Sequence, residues 1–100
     1  MNTAWELADV EQVFKDSQDL YLTLEQRESL TVGDMVKVIF NSLKVGYPSE
    51  TVWCVIVEIY GPGHYAGQVK DTSVLNPNLP KSNELFILRA KNILSKVVRK

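Results

Sequence analysis

The stretch that decides the fold is Thr51-Val52-Trp53-Cys54-Val55-Ile56-Val57-Glu58-Ile59-Tyr60-Gly61-Pro62-Gly63-His64-Tyr65-Ala66-Gly67-Gln68-Val69-Lys70. Its first half is mostly β-branched or aromatic and is broken by one acid, Glu58, a composition suited to a pleated, buried strand. Gly61-Pro62-Gly63-His64 then turns the chain. Pro62 presets φ at the second turn position and Gly63 supplies the positive φ of the third, as a type II turn requires. Residues 65–70 therefore run back antiparallel. Closing the hairpin at Tyr60 and His64 sets Ile59 against Tyr65, Val57 against Gly67 and Val55 against Val69. The register one residue away mates Val57 with Gln68 and Val55 with Lys70, which is poorer because it sets apolar against polar.

Working outward, Gly33-Asp34 marks a turn into Met35-Val36-Lys37-Val38-Ile39-Phe40, a strand apolar on nearly both faces. Residues 41–50, with Gly46 and Pro48, and residues 71–83, with Pro77 and Pro80, read as loops. Glu84 to Arg89 is a last strand. Beyond it Ile93, Leu94, Val97 and Val98 suit either a helix or a β-bridge. On the N-terminal side, the T-x-x-E capping box of Thr3 and Glu6, with Leu7, Val10 and Phe14 on one stripe, predicts a helix over 1–18. Leu20-Tyr21-Leu22 reads as extended. Thr23 and Gln26 repeat the capping spacing and predict a short helix from Leu24 to about Ser29.

The 100 residues, 45% hydrophobic and 23% charged, suit a single domain over 1–100 and exclude collagen-like, disordered and disulfide-framework classes. One cysteine fits a reducing, cytoplasmic setting. No apolar run approaches the ~20 residues of a membrane span, and no basic–apolar leader opens the chain. A net charge of −1 counts against a general nucleic-acid binder. Charge is nonetheless segregated. Residues 1–30 hold seven acids against two bases, and residues 81–100 hold six bases against one acid. Such ends either lie side by side on the folded surface or leave a cationic end for an acidic partner.

Three segments, Gly33-Asp34-Met35-Val36-Lys37-Val38-Ile39-Phe40, Glu50-Thr51-Val52-Trp53-Cys54-Val55 and Tyr65-Ala66-Gly67-Gln68-Val69, together resemble a bacterial family named domain of unknown function 2314. Its pattern is G-D-x-V-K-L-x-F, a variable loop, E-x-x-W-V-x-V, a turn and x-G-x-L. The resemblance covers Asp19 to Leu94, roughly three quarters of the chain. Family members carry Asn-x-Pro soon after x-G-x-L, whereas here Lys70-Asp71-Thr72 follows and Asn76-Pro77 comes later. The resemblance implies a β-rich core over 19–94 with a basic tail at 95–100, and a bacterial or phage source. It implies no activity.

The chemistry available is narrow. Cys54 and His64 are the only members of their kinds, and in any plausible register they lie on the order of 20 Å apart, too far for a thiolate–imidazole pair. Two soft ligands fall short of the three or four zinc needs. Gly61-Pro62-Gly63 is too short to cradle a phosphate. No catalytic residue, metal or cofactor is therefore expected. Glu58 reads as an exposed or ion-paired acid, with a tuned carboxyl as the sharper reading.

These observations predict an α+β domain: an N-terminal helix packed on a bent antiparallel sheet of four or five strands, an SH3-like small barrel. The expected core is Leu7, Val10, Phe14, Val36, Val38, Phe40, Trp53, Val55, Val57, Ile59, Val69, Leu85 and Ile87. The function expected is that of a non-catalytic cytosolic protein-binding module, such as an immunity or phage counter-defence protein. The alternatives are a nucleic-acid-binding barrel that uses the basic C-terminal end, and a binder of a small molecule or nucleotide at a homo-oligomer interface. Candidate binding residues are Lys44, Tyr47, Leu75 and Leu79 on the loops, with Tyr60, His64, Tyr65, Arg89 and Lys91 near the hairpin and the last strand.

Overall fold

The computed structural model describes residues 4–71 and 75–97. Six strands form one antiparallel sheet: β1 (Trp5–Leu7), β2 (Met35–Ser42), β3 (Glu50–Gly61), β4 (His64–Val69), β5 (Leu85–Arg89) and β6 (Ile93–Lys96). The order is β1-β2-β3-β4-β5, and β6 also pairs with β2. β2 is central. β3 runs along one of its edges, while β1 takes Phe40–Ser42 and β6 takes Val36–Val38 on the other. A 3-10 turn at Ala90–Asn92 carries the chain from β5 to β6. The sheet so curls into a nearly closed barrel, a small α+β fold of SH3-like outline.

The helix expected over 1–18 is not there. Thr3 lies outside the described residues. Trp5–Leu7 is a strand, followed by one helical turn, α1 (Val10–Val13), capped by the Asp9 carboxylate, which accepts from Glu11 N–H at 3.0 Å. Tertiary pairing overrides the local capping signal: β1 satisfies the open edge of β2 and drives the Trp5 ring edge-on against Phe40, 5.0 Å between centroids. Of Leu20–Leu22, read as extended, Leu20 closes a 3-10 turn at Gln18–Leu20, and Tyr21 after it has extended backbone. The second capping box is realised. Helix α2 (Leu24–Glu28) has reciprocal bonds between Thr23 and Gln26. The C-terminal ambiguity resolves as strand, β6; residues 98–100 lie outside the described residues, as do 72–74 of the second loop.

The hairpin forms at the expected turn, with Gly63 at φ 71 and Ile59 facing Tyr65. Its register then departs. A bulge between Ile56 and Glu58 sets Ile56 against Gly67 and Cys54 against Val69. The buried face of β3 is thus Val52, Cys54 and Ile56, while Trp53 and Val55 are half-buried and Val57 and Ile59 exposed. β5 shows the same inversion: Phe86 and Leu88 are buried, whereas Leu85 and Ile87, expected inside, are exposed. In β3 the run from Val52 to Val57 is apolar throughout, so it holds no parity and the bulge decides it. The face of β5 follows instead from its continuous register with β4, which sets Arg89 outside with Leu85 and Ile87. Of the other expected core residues, Val10, Val36, Val38, Phe40 and Val69 are buried, while Leu7 and Phe14 are half-buried.

Candidate partner-binding surface

The nine candidate residues fall into two groups and two corrections. Lys44 and Tyr47 are exposed on the 43–49 loop, and Leu75 is 86% exposed on the second loop. Tyr60, His64, Arg89 and Lys91 gather at the far end of β3. There the Tyr60 and His64 rings lie 5.1 Å apart, and His64 faces Arg89 across the β4–β5 ladder. Arg89 and Lys91 are exposed.

The corrections are Leu79 and Tyr65. Leu79 is a core residue, 3% exposed, and belongs to the buried cluster with Phe86 and Leu88. Tyr65 is wholly buried, since it stands on the inner face of β4 with its hydroxyl donating to the Arg27 carbonyl at 2.7 Å.

The two loops are tied together. The Glu50 carboxylate at the start of β3 accepts from the backbone N–H groups of Leu75 (3.1 Å) and Asn76 (2.6 Å). The Asn76 side chain donates to the Pro48 carbonyl at 3.1 Å and accepts from Asn78 N–H at 2.9 Å. Around this clamp the first loop presents Leu43, Val45 and Tyr47 to solvent, Val45 at 100% exposure, and the second presents Leu75. The sequence reading missed Glu50 and Asn76. An acid beside a loop and an Asn-Pro pair gave the only signal, and the contact between them spans more than twenty positions.

A hollow of about 480 Å³ lies elsewhere and is lined by Glu11, Lys15, Tyr21 and Arg27 among others. Arg27 is 3% exposed. Its guanidinium donates to the carbonyls of Leu22 (3.0 Å) and Ala90 (2.8 Å), pairs with Glu11 at 3.0 Å and lies over the Tyr21 ring. Those contacts join α1, α2 and the 90–92 turn, which is a structural task. They set α1 and α2 against the 90–92 turn, while Arg99 and Lys100 of the basic end lie outside the described residues. The ion pair itself stays within the N-terminal third.

The Cys54 thiol is buried, donates weakly to the Val36 carbonyl at 3.6 Å, and is pushed up to about 12 by desolvation. Glu58 is exposed and accepts from the Tyr60 hydroxyl at 3.2 Å; partial desolvation, then this bond and the carboxylate charge, hold the Tyr60 phenol above its usual range. Among the described residues no group of three or more His, Cys, Asp or Glu could hold a metal, and no helix is long and apolar enough to cross a membrane. Scans against family models, curated proteins and solved structures return no match to this chain.

Proposed function

We propose that this chain is a non-catalytic, cytoplasmic protein-binding module that grips its partner with the two tethered loops; an immunity or counter-defence protein is one form of such a module. The observation that carries this reading is the display of Leu43, Val45, Tyr47 and Leu75 on backbone pinned by Glu50 and Asn76. Exposed apolar side chains contribute nothing to the core, and on a pinned loop they meet a partner with little further ordering cost. Tyr47 supplies a rigid amphipathic ring of the kind that anchors interfaces. The cytoplasmic setting is supported by the single cysteine, free and buried. Kinship with the family that the central motifs resemble belongs to the same proposal, supported by their placement on the paired strands β2 and β3.

The test uses the native chain and a Tyr47→Ala/Leu75→Ala variant as matched baits, followed by titration of each purified captured protein. A partner held by the native chain and released by the variant supports the reading. Equal binding by both, with both folded, overturns it. A steeply salt-dependent gel shift lost on changing Arg89 and Lys91 would instead favour the nucleic-acid alternative.

A further inference from the structure

Arg27 spends only part of its guanidinium on the fold. Nε donates to the Leu22 carbonyl at 3.0 Å, and Nη1 donates to the Ala90 carbonyl at 2.8 Å and pairs with Glu11 at 3.0 Å. A guanidinium has five N–H donors, and two of them sit on Nη2. Nη2 has no partner among the described residues. The residue is 3% exposed, yet no buried side-chain nitrogen of the described residues lacks a partner, so Nη2 keeps a contact with solvent. The hollow of about 480 Å³ that Arg27 lines is where that contact lies.

Further donors line the same hollow. Lys15 is exposed there and has no ion pair among the described residues. Thr23 Oγ accepts from Gln26 N–H at 3.2 Å, and its own proton goes to no acceptor among the described residues. Ammonium, guanidinium and hydroxyl donors together suit an oxyanion. Glu11 sets the charge of that anion. It lines the hollow too, so two cations stand against one carboxylate and one positive charge remains. A monoanion neutralises it, whereas a phosphate dianion would overshoot it beside the Glu11 carboxylate. Tyr21 and the half-exposed Leu24 supply apolar wall, and the volume falls within the ~300–1,000 Å³ of small-molecule sites.

We propose that this hollow binds a small monoanionic carboxylate with an apolar body, its oxygens on Arg27 Nη2, Lys15 and the Thr23 hydroxyl and its body against Tyr21 and Leu24. Arg27 then has two tasks on separate atoms. Nε and Nη1 join α2 to the 90–92 turn, and Nη2 serves the ligand. Glu11 is a carboxylate already on the guanidinium, and its charge opposes the arrival of a second one. None of these residues belongs to the loop pair, so this inference stands or falls apart from the loop reading.

The experiment titrates the native chain with benzoate and with hexanoate, read by NMR at the Arg27 Nε–H and the backbone amides of Lys15 and Thr23. Benzamide, the neutral counterpart of benzoate, and inorganic phosphate are run beside them at the same ionic strength. At least one carboxylate is expected to give saturable shifts at these groups, benzamide none, and phosphate weaker binding. Lys15→Gln and Glu11→Gln both change exposed side chains, and circular dichroism checks that each variant is folded. Lys15→Gln should weaken the carboxylate roughly fivefold, and Glu11→Gln should tighten it by a similar factor. Saturation by neither carboxylate overturns the proposal. So does benzamide binding as well as benzoate, phosphate binding more tightly than either carboxylate, or an affinity indifferent to both variants.

Discussion

The Tyr65 hydroxyl donates to the backbone carbonyl of Arg27 at 2.7 Å and lies 3.4 Å from the Leu30 N–H, so the start of β4 is bonded to the end of α2 from inside the barrel. Tyr65→Phe keeps the ring but leaves a buried carbonyl and a buried amide without their partner. It should lower the unfolding free energy by about 1–3 kcal/mol, read from the denaturant midpoint at unchanged slope.

Arg27 and Glu11 should respond unequally, although they form one ion pair. Arg27→Met strips donors from the Leu22 and Ala90 carbonyls in the interior and is expected to cost about 3 kcal/mol or more. Glu11→Gln removes a half-exposed carboxylate and should cost less than ~1 kcal/mol. Equal losses in thermal melts of the two variants would refute the structural role given to the guanidinium.

Gly63 sits at φ 71, and a Cβ there would meet the Ala90 Cβ at 3.1 Å. Gly63→Ala therefore adds left-handed strain to a contact against the 90–92 turn and should cost about 1–3 kcal/mol, with Gly63→Val worse. In a domain of this size that lowers Tm by roughly 4–8 °C per kcal/mol. An unchanged Tm would mean that the turn is not built as described.

The buried Cys54 thiol binds its proton more tightly folded than unfolded, from an ordinary 9.0 to about 12. Its contribution is fully present below pH 9 and is lost as pH rises toward 12, with a slope of up to ~1.4 kcal/mol per pH unit. Cys54→Ala should cost about 1–2 kcal/mol at neutral pH, flatten that alkaline decline, and leave partner binding intact. The difference between native and variant stability from neutral to alkaline pH isolates the effect from lysine and tyrosine titration.

Tyr47→Ala and Leu75→Ala should keep Tm within a few degrees while weakening partner binding by about 1–2 kcal/mol or more. Glu50→Ala leaves both apolar side chains in place but frees the second loop from its carboxylate clamp. It should reduce affinity through the entropy of reordering that loop at binding. Titration calorimetry of the variants beside their melts separates lost contact from lost order.

The sequence by itself determined the hairpin turn, because Pro62 and Gly63 encode their φ angles locally, and the α2 start, because Thr23 and Gln26 satisfy each other within one turn. It also marked the stretches that become β2, β3, β4 and β5, and placed Lys44, Tyr47 and Leu75 in loops. Tertiary structure alone decided the rest. Trp5–Leu7 became a strand because the edge of β2 needed a partner more than the N-terminal stretch needed a helix. The inward face of β3 went to Val52, Cys54 and Ile56 because the run Val52 to Val57 is apolar throughout and carries no period, so one bulge at Val57 could set the parity. That of β5 went to Phe86 and Leu88 through its register with β4. Tyr65 and Leu79 moved from surface to core for a similar reason: neither an amphipathic ring nor a lone leucine in a loop announces which way it faces. The clamp from Glu50 to Leu75 and Asn76 arises between segments far apart in the chain, where only closing the barrel brings donors and acceptors into register.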